Sequence, residues 1–203
     1  MTIYFTSDTH FGHNNIIRHT GRPWADVDEM GEALVAAINE RVGADDTLYV
    51  LGDFSFPLSI ARARAVRERI WCHDVHLVPG NHDRYWDNPL EPLSCGVFVV
   101  EPPITDLKVG DQKLVLCHYP IMDWRGLGHG SIHLHGHIHS SPAYNEMHRD
   151  AGRLRYDVGV DANGYAPVSL GEILAFFDGV EHRHRVDWTN WARPDAAGAP
   201  AEK

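Results

Sequence analysis

The sequence predicts a mixed α/β sandwich. Strand and helix patterns alternate through the first half of the chain, whereas the second half holds short strand patterns separated by tight turns. The length of 203 residues suits one domain. We predict a single domain over residues 1–192 and a disordered tail over residues 193–203, because the tail has nothing to bury.

The first half of the chain predicts three buried strands, each ending at polar residues, with helices between them. The first helix follows the first strand. Asp26 and Glu29 are spaced as in a capping box, apolar residues recur every four residues behind them, and Gly43 closes the helix. A loop is predicted from the first strand to about Trp24, and a second helix over residues 59–70. The predicted strands are residues 3–7, 47–51 and 75–78.

Short apolar runs in the second half predict further strands. The Gly110-Asp111-Gln112 break between two of these runs indicates a hairpin. The predicted strands are residues 97–100, 104–109, 113–117, 131–135 and 155–160.

Composition narrows the class of protein. The formal charge of −10 argues against broad attraction to nucleic acid, since nonspecific binding depends on neutralising phosphates. No apolar run approaches the length that crosses a membrane, and the N-terminus lacks the basic region of a signal peptide, so we expect a cytoplasmic protein without a membrane partner.

Three cysteines are too few for a disulfide framework. The 15 dispersed histidines point instead to metal chemistry, because imidazole is the commonest metal-binding side chain.

Five short polar segments share one position: each lies at or just past the end of an apolar run. In α/β folds, ligands bind outside the carboxyl ends of the strands, so these segments could converge on one rim. The segments are Asp8-Thr9-His10, Gly52-Asp53, Gly80-Asn81-His82-Asp83, His118 and Gly136-His137-Ile138-His139.

The spacing within these segments suits metal ligands. In an extended Asp-x-His or His-x-His pair, alternate side chains point the same way, so both can face one metal cluster. Glycine before Asp53, Asn81 and His137 lets the backbone turn sharply and approach an ion closely. Carboxylate, imidazole and amide-oxygen ligands together suit divalent Mn, Zn, Fe or Ni. Each segment alone occurs often by chance, but the ordered set of five is specific.

This ordered set resembles that of the calcineurin-like metallophosphoesterases, over residues 3 to about 170. More narrowly, residues 7–17, Arg22-Pro23, residues 158–161 and residues 167–170 are similar to a small bacterial and phage branch of that superfamily. The resemblance implies a four-layer α/β/β/α sandwich with mixed sheets and two divalent metal ions.

The resemblance also implies which residues bind the ions. Asp53 would bridge both of them, and no ligand position of the family is missing. The first ion would be bound by Asp8, His10 and His139, and the second by Asn81, His118 and His137.

The same resemblance implies a reaction, the hydrolysis of a phosphate ester by a hydroxide that bridges the two ions. His82 would give a proton to the leaving oxygen or stabilise its charge, and Asp83 would orient that imidazole and raise its basicity. The alternative for His82 is a structural role beside the ligand Asn81.

Three further residues are candidates for substrate contact. His13 and Asn14 lie one short turn past the first ligand pair, where they could contact the phosphate or the leaving group, or simply form the turn. Arg22 could clamp a phosphate, since a guanidinium suits bidentate binding; the alternative is a surface or loop-bracing arginine.

Two histidines outside the resemblance share the spacing of the ligands. His133 and His135 alternate in phase with the His137–His139 pair, so all four could point the same way. The family pattern covers only the last two, and the roles of His133 and His135 stay open.

The leading functional hypothesis is a metal-dependent phosphoesterase with a small substrate, phosphodiesters or cyclic nucleotides being favoured over monoesters. A nuclease of the same superfamily, with nucleic acid as its substrate, is disfavoured by the short chain and the acidic charge. A non-enzymatic metal-binding scaffold is disfavoured by the intact ligand set. A protein serine/threonine phosphatase is a further rival, but those enzymes are longer and usually carry Glu where Asp83 stands. No obligate protein partner is evident from the sequence.

Overall fold

The computed structural model describes residues 1–83 and 97–183. The predicted tail, residues 193–203, and the end of the predicted domain lie outside the described residues. The α-helices are Asn14–Thr20 (α1), Val27–Arg41 (α2), Ile60–Arg67 (α3), Pro142–Asp150 (α4) and Leu170–Phe176 (α5). The strands are Ile3–Thr6 (β1), Thr47–Val50 (β2), Asp74–Leu77 (β3), Val99–Val100 (β4), Ile104–Val109 (β5), Gln112–Cys117 (β6), Ile132–His135 (β7), Arg155–Asp157 (β8) and Val168–Ser169 (β9).

The strands form two mixed sheets, as predicted. The first sheet has the order β4-β3-β2-β1-β9, in which β1 to β4 run parallel and β9 pairs antiparallel with β1. The second has the order β5-β6-β7-β8, with an antiparallel β5–β6 pair and parallel pairing from β6 to β8. Val109 pairs with Gln112, so Gly110 and Asp111 form the turn of the predicted hairpin.

The two sheets face each other between layers of helices. Ile16 of α1, Leu34 of α2 and Ala63 of α3 belong to one buried cluster with Leu48 and Leu77 of the first sheet. A second cluster joins residues of the first sheet, such as Phe5 of β1, to residues of the second sheet, such as Leu116 and Leu134. Helix α4 packs against β8 of the second sheet. The described chain is therefore an α/β/β/α sandwich, which confirms the predicted fold class.

Helix α2 begins where the sequence indicates. The Asp26 side chain accepts hydrogen bonds from the backbone N–H groups of Asp28 and Glu29, which satisfies two of the free donors at the helix start. Glu29 accepts from the N–H of Ala25 rather than from Asp26, so the reciprocal half of the capping box is displaced by one residue. Met30 and Leu34 on this helix are fully buried, and Ile38 nearly so.

Helix α1 occupies part of the segment that was predicted to be a loop. It is seven residues long, its first turn has no side-chain cap, and Ile16 is its only buried residue, so the local pattern is weak. Gly21 ends the helix in the left-handed conformation, with φ of 71°. The packing of Ile16 into the first core cluster, a contact made with distant residues, is what stabilises the helix.

Helix α4 completes the pairing of the edge strand β8. The Asn145 side chain accepts a hydrogen bond of 2.7 Å from the N–H of Asp157 and donates one of 3.0 Å to the carbonyl oxygen of the same residue. Both main-chain groups of that edge residue are thereby satisfied. Over residues 1–83 and 97–183, no helix is long and apolar enough to cross a bilayer.

Candidate metal centre

The strand ends bring the predicted ligands together at one rim of the sandwich. In the first sheet the ligands follow β1, β2 and β3, and in the second sheet they follow β6 and β7. Potential ligand atoms lie within 4.8 Å of one another in three overlapping groups: Asp8, His10 and His139; His10, Asp53 and His82; Asp53, His118 and His137.

An unusual backbone conformation sets these side chains at the rim. Six non-glycine residues in the described ranges have a positive φ, and five of the six are predicted ligands. Such conformations cost energy, and they persist where the surrounding structure imposes them, often at functional sites. The five are Asp8 (58°), His10 (50°), Asp53 (54°), His137 (74°) and His139 (47°).

One half of the cluster surrounds Asp8, which is fully buried. Asp8 Oδ1 lies 4.0 Å from Nε2 of His10 and 4.0 Å from Nε2 of His139. His10 Nε2 also lies 3.5 Å from Oδ2 of Asp53. Ligand atoms that share one cation at bonds of about 2.1 Å are separated by about 3 to 4 Å, so this spacing fits one divalent ion.

The other half of the cluster surrounds His118. Its Nε2 lies 3.5 Å from Oδ2 of Asp53, 3.1 Å from Oδ1 of Asn81 and 3.2 Å from Nδ1 of His137. Asp53 Oδ2 is therefore 3.5 Å from an imidazole nitrogen on each side, His10 in the first half and His118 in the second. This position suits an oxygen that bridges two cations.

Two buried atoms of the cluster fit the binding of a cation. Within the described part of the chain, Asp8 Oδ1 and His10 Nε2 have no hydrogen-bond partner. Burial raises the pKa of Asp8 to about 7, against the opposing charge of His139. Burial, with the charges of His139 and Arg22, lowers the pKa of His10 to about 2, so that imidazole is neutral. A divalent cation would keep Asp8 ionised and use the free electron pair of His10, so these residues fit a metal ion.

The imidazoles of two ligands are held from the side that faces away from the cluster. His118 Nδ1 lies 2.8 Å from the carbonyl oxygen of Leu51, which can only accept a hydrogen bond. Nδ1 therefore carries the proton, and the electron pair of Nε2 faces Asp53. His139 Nδ1 is held in the same way, 2.8 Å from Oδ2 of Asp161.

Glycine is required where the strand ends approach each other. A Cβ atom at Gly136 would lie 2.0 Å from Oγ of Ser7 and 2.3 Å from Oδ2 of Asp8. The N–H of His137, the next residue, donates a hydrogen bond of 2.9 Å to that same Asp8 oxygen. The absence of a side chain thus lets β7 deliver its ligands beside those of β1.

Asp83 contacts the backbone of the segments that carry Asp53 and Asn81. Its carboxylate is fully buried and accepts hydrogen bonds from the backbone N–H groups of Asp53, Gly80 and Phe54. Burial raises its pKa to about 6, although these bonds oppose the shift. Both oxygens accept from backbone N–H groups, so Asp83 braces the turn that presents Asp53, and its action on the His82 imidazole stays a prediction.

Arg22 is also placed differently from a phosphate clamp. All of its guanidinium N–H groups are directed inward, to the Asp161 carboxylate, the carbonyl oxygens of Asp8 and Thr9, and the sulfur of Met30. The side chain has no exposed surface. This geometry favours the loop-bracing alternative.

The predicted proton donor lies at the open side of the cluster. His82 is 29% exposed, and its Nε2 lies 4.0 Å from Oδ2 of Asp53. His13 is near it, with 6.1 Å between the two ring centres, and His13 Nδ1 lies 3.2 Å from Nδ1 of His10. Asn14 is exposed at the start of α1. His13 is thus at the cluster, whereas Asn14 lies on the helix beside it.

His133 and His135 do not join the cluster. Residues 132 and 134 of β7 face the core between the sheets, so the alternate histidines face the opposite side. His133 Nδ1 lies 3.0 Å from the carbonyl oxygen of Val115, and His135 Nε2 lies 3.1 Å from the hydroxyl of Tyr144. Burial lowers the pKa of each histidine to about 3. The turn at Gly136 ends the alternation before the ligand pair begins.

Three residues near the centre were not singled out from the sequence. Asp161 was recognised only as part of a segment similar to the phage branch, with no role. Phe56 and Tyr119 are both partly exposed beside the cluster. The Phe56 ring centre lies 4.4 Å from that of His82, and the Tyr119 ring centre lies 4.6 Å from that of His137. Local pattern could not identify them, because their position depends on how the loops are packed.

Comparison with known proteins places the chain in a family. No family model matches it. It is 30% identical over 178 residues to the uncharacterized protein MJ1445 of Methanocaldococcus jannaschii, covering 87% of this chain and 91% of that protein. It is 31% identical over 214 residues to the Gene 66 protein of Mycobacterium phage L5, covering 91% of this chain and 96% of that protein. The chain belongs to the family that includes these archaeal and phage proteins.

A solved structure shares the fold. The protein of unknown function AQ665 from Aquifex aeolicus aligns with a TM-score of 0.66 and 23% identity, over 85% of this chain and 97% of that chain. The phosphoesterase Yfce from E. coli aligns with a TM-score of 0.41 and 18% identity, over 84% of this chain and 83% of that chain, a likeness too distant to bear on function.

Proposed function

We propose that this protein is a phosphoesterase that depends on two divalent cations. Asp53 would bridge them, with Asp8, His10 and His139 binding the first cation and Asn81, His118 and His137 binding the second. The observation that carries the proposal is the position of Asp53 Oδ2, which lies 3.5 Å from an imidazole nitrogen in each half of the cluster. The mixture of carboxylate, imidazole and amide oxygen suits Mn, Zn, Fe or Ni.

When bound, two divalent cations supply polarisation of a phosphoryl oxygen and a water of lowered pKa. The residues of the chain would position the ester and supply a proton to the leaving group. As the bond from phosphorus to the leaving oxygen breaks, that oxygen needs a proton, and His82 would give it from Nε2. The imidazole is partly exposed, so it would regain a proton from solvent.

The charges around the site favour a diester over a monoester. A monoester carries a second negative charge, which enzymes commonly neutralise with a guanidinium. The guanidinium of Arg22 is turned inward and occupied by Asp161 and main-chain carbonyl groups. Arg22 therefore has no N–H group left to neutralise the second charge of a monoester.

The rings beside the cluster favour an ester that carries an aromatic group. Phe56 lies against His82 on one side, and Tyr119 lies against His137 on the other. Both rings keep exposed surface, 37% and 45% of the residue respectively, on which a nucleobase could stack. A cyclic nucleotide or another small nucleoside diester therefore fits the site best.

A screen of metal-stripped protein tests this function. The protein would be supplied in turn with Mn, Ni, Zn and Fe and assayed on bis(p-nitrophenyl) phosphate, p-nitrophenyl phosphate, cyclic AMP and single-stranded DNA, with Asp53→Asn as the inactive control. We expect metal-dependent cleavage of the diesters that exceeds cleavage of the monoester. The proposal fails if no ester is cleaved with any of the four ions, and a strong preference for DNA would support the nuclease alternative.

A further inference from the structure

We infer that Asp161 and Arg22 act together as positioning residues for the first cation site. This inference rests on the proposed metal centre, but it concerns binding of the cation and not the reaction. Asp161 holds His139 in the orientation in which it can bind a cation, and Arg22 fixes Asp161 against the loop that carries the other ligands of that site.

The contact between Asp161 and His139 determines which nitrogen of the imidazole is free. Asp161 Oδ2 lies 2.8 Å from His139 Nδ1. Both oxygens of Asp161 also accept hydrogen bonds from the Arg22 guanidinium, a bidentate arrangement that suits an ionised carboxylate. An ionised carboxylate only accepts, so Nδ1 carries the proton and Nε2 is left with its electron pair. That Nε2 is the atom 4.0 Å from Asp8 Oδ1, at the first site.

Arg22 ties this carboxylate to the backbone of the other ligands. Its Nε donates 2.9 Å to Oδ1 of Asp161 and its Nη2 donates 2.8 Å to Oδ2, so the pair is bidentate. The same Nη2 donates 2.7 Å to the carbonyl oxygen of Asp8, and Nη1 donates 3.2 Å to that of Thr9. One guanidinium therefore links the segment that carries Asp8 to the residue that orients His139.

The contacts of Asp161 leave it no oxygen with which to bind a cation directly. They suit a residue that holds His139 in place. Both of its oxygens are engaged, Oδ1 by Arg22 and Oδ2 by Arg22 and His139. The pair is buried, with 0% of the Arg22 side chain and 8% of the Asp161 side chain exposed. His139 also has a positive φ, a conformation that its own backbone does not favour, so its placement depends on such external contacts.

The alternative is a buried ion pair that only stabilises the fold, and another arginine provides the control for it. The Arg67 guanidinium is also buried, and it donates to the carbonyl oxygens of Val97, Ile70 and Cys72. Residues 70 and 72 precede β3, whereas the predicted ligand of that strand follows it. Arg67→Lys should reduce stability in the same way as Arg22→Lys without touching the metal site.

Calorimetric titration of metal-stripped protein with Mn²⁺ distinguishes a positioning role from a purely structural one. Wild-type protein should bind two ions; Asp161→Ala and Arg22→Lys should weaken one of the two binding events by about 10- to 100-fold and leave the other unchanged. Asp161→Asn keeps one oxygen for His139 and should show a smaller loss than Asp161→Ala. Arg67→Lys should lower the unfolding temperature and leave both affinities at wild-type values.

Several outcomes would overturn the inference: wild-type Mn²⁺ affinities in Asp161→Ala, equal weakening of both sites, or the same loss in Arg67→Lys. Circular dichroism of each variant at the titration temperature shows whether it is folded, and Asp161→Asn provides the test if Asp161→Ala is not. If the variants lose one site while the wild-type protein cleaves no ester, the positioning role stands and the proposed function fails.

Discussion

At the scale of single residues, the centre is built from side chains that the backbone holds in costly conformations. Each of the five ligands with positive φ is strained by about 1–3 kcal/mol. Asp8 adds a carboxyl whose pKa burial raises to about 7, and whose Oδ1 is aimed at His139 rather than at a hydrogen-bond donor. Strain and burial of this kind, concentrated in the predicted ligands, are what a site assembled for cations would show.

His82 should affect the reaction without affecting metal binding. It lies beside the cluster, with its Nε2 4.0 Å from Oδ2 of Asp53. His82→Ala should lower kcat on a diester with an alkyl leaving group by about 10²- to 10⁴-fold, because that leaving oxygen needs a proton. The loss should be much smaller with p-nitrophenolate, which needs none, and Mn²⁺ affinity should not change. The exposed His19→Ala serves as the control, and an unchanged rate on the alkyl ester would refute the proton-donor role.

Asp83 should affect metal binding through the backbone. Asp83→Asn replaces one acceptor oxygen with an amide that faces main-chain N–H groups, which costs about 1–3 kcal/mol of folding free energy. Because the lost bonds hold the backbone at Asp53 and at Gly80, the residue before Asn81, both Mn²⁺ sites should weaken together. Urea unfolding and Mn²⁺ titration would measure the two effects. If only the pH profile of the reaction changed, Asp83 would act on His82 after all.

At the scale of elements, the site depends on how strand ends meet. A strand pattern predicts where an element ends, so the position of the polar segments after β1, β2, β3, β6 and β7 could be predicted from the sequence. Histidine spacing alone could not separate His133 and His135 from His137 and His139, because the turn at Gly136 changes the direction of the chain between the two pairs. Helix α1 was missed for a related reason: its one buried residue, Ile16, is stabilised by packing that lies far away in sequence.

Gly136 should be irreplaceable at this junction. In Gly136→Ala, the new Cβ would fall 2.0 Å from Oγ of Ser7 and 2.3 Å from Oδ2 of Asp8, so both of these side chains or the backbone at residue 136 must move. We expect weaker Mn²⁺ binding at the first site and a lower unfolding temperature. Gly128→Ala is the matched control, since nothing lies within 4 Å of a Cβ there. Wild-type Mn²⁺ affinity in Gly136→Ala would show that the close approach is not needed.

The buried histidines of β7 should make the metal-free protein sensitive to acid. Burial, with the charge of His135, lowers the pKa of His133 to about 3, whereas in the unfolded chain it is about 6.5. Between these values only the unfolded state takes up the proton, so stability present above pH 6.5 is lost as the pH falls toward 3. At pH 5 this one group should cost about 2 kcal/mol relative to pH 7.

Urea unfolding of His133→Gln at the two pH values checks this. The variant should be less stable than wild type at pH 7 but should lose about 2 kcal/mol less on going to pH 5. His129→Gln, which alters an exposed histidine, should keep the wild-type pH dependence. An identical loss of stability in His133→Gln and wild type would contradict the assignment.

At the scale of the whole molecule, two sheets that each carry some of the predicted ligands must pack together before the residues of either proposed cation site meet. The first sheet supplies Asp8, His10, Asp53 and Asn81, and the second supplies His118, His137 and His139. The order of these residues along the chain was enough to predict the fold class and that their side chains would gather at one rim. The supporting contacts were not predictable, since Arg22 and Asp161 are 139 positions apart and meet only when the sandwich is complete.

The most direct test of the account is the number of Mn²⁺ ions that the metal-stripped chain binds at equilibrium, in wild type and in Asp53→Asn. Because Asp53 Oδ2 lies between the two halves of the cluster, we predict two ions per wild-type chain and weakened binding at both sites in the variant. A wild-type chain that binds one ion or none, or an Asp53→Asn chain that still binds two with unchanged affinity, would contradict a centre of two bridged cations.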